Sequence, residues 1–235
     1  MFPRAHSWVL LFLYTFLQMT IISSVSAPAT NNTSALVAEF AGGAASDISM
    51  MIGIGLVKDS DAVFFQYLGE GIEPMALVQH SGRPLTSLRS VKLAGISIAE
   101  DVGEFNAVKL NVILESSKGN SVMVTSGLTT IWSQCVLNGL MALFNGGDLT
   151  CPFNLDTWKG TSKMRPCFGS IKVNNVGMKD NELYSLLSDA RSDGNKQLVE
   201  QICRNAVTTL SNALTGGPID EVDVAVSENT VVADF

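Results

Sequence analysis

The most regular pattern of apolar positions in the chain lies between residues 199 and 214. Its apolar side chains recur at the spacing of a helix with one buried face, namely Val199, Ile202, Cys203, Ala206, Val207, Leu210, Ala213 and Leu214. Asp193-Gly194-Asn195 supplies a turn and an N-cap before this stripe, and Gly216-Gly217-Pro218 ends it. The pattern predicts a long C-terminal amphipathic helix with Cys203 on its buried face.

A second pattern has the two-residue period of a β-strand. Over residues 107–114, the polar residues Lys109 and Asn111 occupy one face. The opposite face consists of Val108, Leu110, Val112 and Leu114. Residues 116–120, with the sequence Ser-Ser-Lys-Gly-Asn, form a predicted loop, and residues 121–128 return as the partner strand. This is an antiparallel hairpin with one solvent-exposed face.

Other segments are less regular. Residues 91–98 alternate loosely and residues 219–226 alternate again, which predicts two more strands. Residues 34–57 begin at helical spacing and then contain several glycines, which favours a helix that leads into a strand. Residues 131–144 fit either a strand or a short helix, and residues 151–166 are interpreted as a loop.

The N-terminal residues have the pattern of a secretory signal peptide. Arg4 is followed by an apolar run over residues 8–22, and Val25 and Ala27 occupy the −3 and −1 positions of a cleavage site. At about 1.5 Å per residue such a run is too short to span a bilayer core of about 30 Å. We therefore expect residues 1–27 to be removed, and residues 28–235 to form a single secreted, extracellular domain.

The net charge of the chain limits the classes of molecule that it is expected to bind. The whole chain has 15 basic and 22 acidic residues and a net charge of −7, and loss of Arg4 with the signal peptide makes it −8. An acidic protein without a basic cluster is a poor candidate for binding nucleic acid. No second long apolar run follows, so we expect neither a membrane span nor a lipid anchor.

Cysteines and glycosylation motifs fit an exported protein. Four cysteines, at positions Cys135, Cys151, Cys167 and Cys203, predict two disulfides with three possible connectivities. Sequential pairing, Cys135–Cys151 with Cys167–Cys203, is favoured because it closes two local loops without crossing. Asn31 and Asn32 begin overlapping N-x-S/T motifs, of which one can normally carry glycan.

The sequence lacks the residue sets that common catalytic and metal sites need. After removal of the signal peptide, His80 is the only histidine, and it lies in a turn-like loop. No Cys-x-x-Cys pair, G-x-S-x-G motif or distinct carboxylate pair is present. We therefore expect no enzymatic activity, no metal and no cofactor.

Three segments between residues 167 and 214 resemble the BPI/LBP/PLUNC-like lipid-binding (TULIP) family. They are Cys167-Phe168-Gly169-Ser170-Ile171-Lys172-Val173, Leu183-Tyr184-Ser185-Leu186-Leu187 and Gln201-Ile202-Cys203-Arg204-Asn205-Ala206-Val207. The resemblance implies an α+β fold in which a curved antiparallel sheet wraps a long C-terminal helix, held by a Cys167–Cys203 disulfide. It also implies a trough for acyl chains, lined by Leu198, Ile202, Val207 and Leu210 from the helix and by Val108, Leu110 and Val112 from the sheet.

Two functions follow as hypotheses. The first is a secreted carrier of an apolar small molecule or lipid, such as a fatty acid, since each buried CH₂ contributes about 0.8 kcal/mol without any polar motif. The second is a secreted interaction protein, such as a host- or immune-directed effector or immunomodulator, which binds an extracellular protein through its surface. The carrier predicts an internal tunnel, whereas the interaction protein predicts a filled core and an exposed apolar patch.

Overall fold

The computed structural model of the chain describes residues 50–58, 60–67, 74–102, 106–162 and 164–216. Several predictions lie outside these residues. They are the signal peptide, the glycosylation motifs at Asn31 and Asn32, the helix expected to begin near residue 34 and the last strand at 219–226.

The described residues form nine strands and three helices. The strands are β1 (Met50–Ile54), β2 (Phe64–Tyr67), β3 (Pro74–Ala76), β4 (Ser87–Val102), β5 (Ala107–Glu115), β6 (Ser121–Gly127), β7 (Phe153–Lys159), β8 (Cys167–Val173) and β9 (Val176–Gly177). The helices are α1 (Ile131–Asn145), α2 (Asn181–Ser192) and α3 (Lys196–Thr215). The predicted α+β class, the β5–β6 hairpin and the C-terminal helix are confirmed.

All nine strands belong to one sheet with the order β3-β2-β1-β6-β5-β4-β7-β8-β9. The pairing of β1 with β6 is parallel, while the other pairings are antiparallel. The prediction of an antiparallel sheet is therefore wrong for this pair. Alternating side chains show which face of a strand is buried, but they carry no information on the direction of its neighbour.

Backbone hydrogen bonds close the first six strands into a ring. Leu77, just after β3, donates its N–H to the Phe64 carbonyl and accepts from the N–H of Leu85. Val78 and Pro84 form a bridge next to this bond, and a turn between Gln79 and Gly82 joins the two sides. The β3 end of the sheet is thereby connected to the segment that leads into β4, so the sheet bends round on itself.

Aliphatic side chains fill the inside of this ring in layers across the strands. Ile52, Val124, Val112 and Ile96 are successive register partners on β1, β6, β5 and β4, and Met50, Val122, Leu114 and Leu93 form a second such row. All eight residues are buried and belong to one hydrophobic core. A small barrel interior is normally filled in this way by side chains of alternate residues.

Helix α1 packs on β8 at two glycines. A Cβ on Gly139 would lie 2.7 Å from Cγ1 of Ile171, and a Cβ on Gly169 would lie 2.8 Å from Cγ2 of Val136. Residues 131–144, which the sequence left open between strand and helix, thus belong to a helix. Thr130 is its N-cap, and the Thr130 side chain accepts a hydrogen bond from the Ser133 N–H. The absence of two β-carbons lets the helix approach the strand closely.

Helix α3 has the ends that the sequence predicts and packs on β4. The Asn195 side chain accepts a hydrogen bond from the Leu198 N–H, and Gly216 ends the helix with a left-handed φ of 69°. Arg204 bonds to Glu200 on its own helix and to Glu100 on β4. These bonds lower the pKa of Glu100 and raise that of Arg204. Because Glu100 continues the two-residue repeat of Ile96 and Ile98, the helix lies on the core-facing side of β4.

Two further predictions are corrected by the structure. Residues 151–166, interpreted as a loop, contain β7, in which Phe153, Leu155 and Thr157 are buried in alternation with residues that face outward. The predicted disulfides are absent, because Cys135, Cys151, Cys167 and Cys203 are all unpaired. The helices are instead held by apolar packing and by the ion pairs of Arg204.

Candidate binding surface on the β7–β8 hairpin

The seven residues predicted to line an acyl-chain trough are largely part of the packed core. Leu110, Val112, Ile202, Val207 and Leu210 are buried, and Val108 is half-buried. Leu198 lies beside the buried stripe of α3 and is 36% exposed. None of these seven residues lines either of the two clefts described below.

Other predicted sites lie as follows. His80 is exposed in the turn before β4, as its sequence context predicts. Within the residues that the structure describes, no group of three or more His, Cys, Asp or Glu side chains could hold a metal ion. No helix in this part of the chain is long and apolar enough to cross a bilayer.

The four thiols have separate surroundings. Burial raises the pKa of all four, and that of Cys203 reaches about 12 because burial and the nearby Glu200 both disfavour the thiolate. Cys135 on α1 contacts the backbone of Gly169, and Cys167 at the start of β8 lies in the field of Lys159. A raised pKa keeps a thiol protonated, so these cysteines lack the features of reactive nucleophiles.

A partly exposed aromatic pair distinguishes the outer face of the β7–β8 hairpin. Trp158 and Phe168 are register partners, and their rings stack with centroids 5.8 Å apart and an interplanar angle of 14°. Trp158 is 46% exposed, and Met164 in the connecting loop is 85% exposed. We call Trp158, Met164 and Phe168 the aromatic tip. Its face of the hairpin is opposite to the one on which Gly169 and Ile171 meet α1.

The loop that carries Met164 is tied to the aromatic pair. Gly160 donates its N–H to the Pro166 carbonyl at 2.7 Å, and Arg165 donates to the Ser162 carbonyl at 2.9 Å. A Cβ on Gly160 would lie 2.8 Å from Cε2 of Phe168 and 3.1 Å from Cδ of Pro166. The ring and the proline therefore lie directly against the glycine backbone, which fixes the Phe168 side of the pair.

A cleft of about 410 Å³ lies beside the aromatic tip. It is lined by Leu56, Val57, Lys58, Ser60, Asp61, Lys159 and Arg165, and we call it the basic cleft. Lys159 extends from β7 and donates to the Ser60 carbonyl, and its Nζ lies 3.9 Å from Oδ1 of Asp61. The β1–β2 loop is thereby joined to the β7–β8 hairpin, and Leu56 on that loop is 48% exposed.

The second cleft, of about 500 Å³, lies at the opposite end of the same hairpin. It is lined by Ser90, Cys151, Pro152, Phe153, Asn154, Lys172, Val173, Asn174 and Asn175. Two of its polar side chains already have partners within the protein: Asn154 accepts from the Ser90 N–H at 2.9 Å, and Lys172 pairs with Asp156 at 2.8 Å. Such groups are already satisfied within the protein, so this cleft has less to offer a ligand than the aromatic tip.

Comparisons with protein-family models, with curated proteins and with solved structures found no match to this chain. The resemblance to the BPI/LBP/PLUNC-like family therefore stays a prediction. The candidate surface has to be judged on its geometry and chemistry alone.

Sequence reasoning missed the aromatic tip because it interpreted residues 151–166 as a loop. A signal was present, since Phe153 and Leu155 alternate with Asn154 and Asp156 as they do in a half-buried strand. Continuing that alternation places Trp158 on the outward face. Its partner Phe168 follows only from the register of β7 with β8, which the sequence does not encode locally.

Proposed function

We propose that this chain is an exported interaction protein that binds an extracellular protein through the aromatic tip, without enzymatic activity of its own. The observation that carries the proposal is the stack of Trp158 on Phe168, which leaves nearly half of the tryptophan exposed. Tryptophan, tyrosine and arginine dominate the few residues that supply most of the binding energy in protein interfaces. Export follows from the predicted signal peptide.

Preorganisation makes this surface suited to binding. The Trp158 ring stacks on Phe168, whose own ring lies against the backbone of Gly160. A partner that covers it pays little for ordering side chains, and immobilising a free side chain otherwise costs about 0.5–1.5 kcal/mol. Met164 adds an adaptable apolar side chain at the same end of the hairpin.

The aromatic tip has no evident role in holding the fold. Its face of β7–β8 is turned away from α1, and neither Trp158 nor Met164 belongs to the hydrophobic core. Selection for stability alone gives no reason to keep a large ring half exposed, since burying it would be favourable. Trp158→Ala should therefore weaken binding while leaving folding largely intact.

Photo-crosslinking tests the proposal. A photoreactive phenylalanine analogue is placed at position 164 and, as the control, at the exposed Tyr184 on α2, and each protein is exposed to extracellular fluid of its source. The partner recovered at 164 is then prepared pure and titrated against the native chain, Trp158→Ala and Tyr184→Ala. We expect Trp158→Ala to weaken binding about 30-fold, which corresponds to about 2 kcal/mol, and Tyr184→Ala to have no effect.

Two results would contradict the proposal. One is a crosslinking pattern at position 164 that does not differ from that at position 184. The other is a purified partner that binds Trp158→Ala as tightly as the native chain, while circular dichroism shows that both are folded.

The lipid-carrier prediction stands as the second candidate. The observation in its favour is that α3 lies on the core-facing side of β4, as the prediction requires, and that Leu110 and Ile202 belong to one apolar core. Because those residues pack together in the core, a ligand would fit between them only if α3 moved away from the sheet. Native mass spectrometry, lipid extraction and titration with a fluorescent fatty acid test it, and the absence of lipid in all three would exclude it.

A further inference from the structure

We infer that the segment which binds the aromatic tip is acidic, with Asp or Glu side chains beside an apolar or aromatic residue, and that the basic cleft receives its carboxylates. This inference rests on the proposed function, because the cleft is treated as an extension of the same surface. Lys159 and Arg165 line the cleft and belong to the strand and loop that carry Trp158 and Met164. Because successive side chains of a strand point to opposite faces, Lys159 lies on the other face of β7 from Trp158. A bound segment would therefore pass from the tip to the cleft at Arg165, the neighbour of Met164 in the loop.

The charges around the cleft favour a carboxylate. Among the described residues that line it, three are cationic, Lys58, Lys159 and Arg165, and one, Asp61, is acidic. Lys159 is engaged with Ser60 and Asp61, but Lys58 and Arg165 have no acidic partner among the described residues. These two side chains are exposed and are free to pair with carboxylates of a ligand.

Salt screening limits the charges that a ligand in the cleft experiences. Interactions between exposed charges are screened beyond about 8 Å at physiological salt. A short acidic segment in the cleft therefore experiences mainly the charges of the residues that line it.

The cleft is also held in shape before any ligand binds. The Lys159 side chain crosses from the β7–β8 hairpin to the Ser60 carbonyl on the β1–β2 loop. Ser60 in turn accepts a hydrogen bond from the Ala62 N–H through its side chain at 3.0 Å. The two walls of the cleft are thus joined to each other, which lowers the cost of ordering them around a ligand.

A random 12-residue peptide library displayed on phage tests the inference. The library is selected against the full chain, and the enriched peptides are synthesised and titrated against four proteins. These are the native chain, Trp158→Ala, the double variant Lys58→Glu/Arg165→Glu, and the matched control Lys118→Glu/Lys196→Glu, which changes the net charge equally at two exposed residues elsewhere. We expect acidic peptides with an apolar residue, and about tenfold or greater loss of affinity in both the cleft variant and Trp158→Ala, but not in the matched control.

The outcomes separate the inference from the proposed function. If the selected peptides are not enriched in Asp or Glu but still require Trp158, the inference that the bound segment is acidic is overturned, while the proposed role of the aromatic tip is supported. Acidic peptides that bind equally to the cleft variant and to the native chain would overturn the assignment of the cleft. Acidic peptides that need Lys58 and Arg165 but not Trp158 would support the cleft and contradict the tip.

A membrane-binding experiment distinguishes an acidic protein segment from an anionic lipid surface as the ligand of the tip. Vesicles of phosphatidylcholine with about one third phosphatidylglycerol are sedimented with the native chain and with Trp158→Ala. Sedimentation of the native chain that is lost in Trp158→Ala would show that the tip recognises an anionic lipid surface, and would overturn the inference of an acidic segment. We expect no sedimentation of either protein.

Discussion

Leu85 donates its backbone N–H to the carbonyl of Leu77 at 2.9 Å, and this bond joins the β3 end of the sheet to the start of β4. Both side chains are buried, so the closure is made inside the core and not at an edge. The β3 end of the sheet is therefore partly paired and offers fewer free backbone groups to another chain, whereas β9 is the last of the described strands at the other end.

The closure predicts strong protection of two amides from hydrogen exchange. The N–H groups of Leu77 and Leu85 should exchange as slowly as those in the paired interior of β5, since all are bonded and shielded from water. Exchange measured by NMR at residue resolution checks this. The exposed turn residue Gly82 donates to Gln79 and serves as the fast reference. Rapid exchange at Leu85 with slow exchange in β5 would show that the ring is open.

The contact between Gly139 and Ile171 predicts a packing defect when a methyl group is added. Gly139→Ala should lower the free energy of unfolding by about 1–3 kcal/mol, even though alanine favours a helix by about 1 kcal/mol over glycine. The reason is that its Cβ would lie 2.7 Å from Cγ1 of Ile171. Urea unfolding of the native chain and the variant measures the change.

A second substitution shows whether that contact is the cause. Ile171→Ala removes Cγ1 and should cost stability in the native chain, because Ile171 is buried. In the Gly139→Ala background the same change should cost less, since it removes the contact with Cγ1, although the Cβ of residue 171, at 2.8 Å, remains. Additive effects of the two substitutions would mean that the helix and the strand are not in close contact.

The pair of Asp156 with Lys172 predicts a dependence of stability on pH. Partial burial alone would raise the pKa of Asp156, but hydrogen bonds from Lys172 and Ser87 and the charges of Lys172 and Arg89 lower it overall. A lowered pKa gives a contribution that is complete above the ordinary pKa of 3.8 and is lost as the pH falls through the folded-state value.

Comparison with Asp156→Asn isolates this contribution. At pH 7 the variant should be less stable by about 0.5–1 kcal/mol, because the pair is partly exposed and screened by solvent. At about pH 2.5 the difference should be smaller, since this pH lies below the ordinary pKa of 3.8 and the contribution is lost as the aspartate becomes protonated. Urea titrations at both pH values give the two differences, and a gap that stays constant with pH would contradict the assignment.

The unpaired cysteines predict four titratable thiols per chain. In urea without reductant, all four should react with Ellman's reagent, whereas two disulfides would leave none. In the folded protein, Cys203 should react last, because its pKa is raised to about 12 and the side chain is buried. Alkylation followed by peptide mapping identifies the order. Fewer than four thiols in the denatured chain would restore the predicted disulfides.

Local periodicity made some elements of this fold predictable. The stripe on α3 needs only the sequence around it, and its ends at Asn195 and Gly216 follow from the conformations that those residues prefer. The β5–β6 hairpin is equally local, since strict alternation frames a short loop. Predictions from such patterns do not depend on distant segments, because each pattern identifies the buried face of a single helix or strand.

The sequence by itself determined the two strongest amphipathic elements and the α+β class. Tertiary structure alone decided the parallel β1–β6 pair, the Leu77–Leu85 closure, the unpaired cysteines and the stacking of Trp158 on Phe168. The physical reason is distance along the chain. A helical stripe or an alternating strand records which side is buried, but strand direction, register and the exposed neighbours of a side chain depend on segments far away in the sequence.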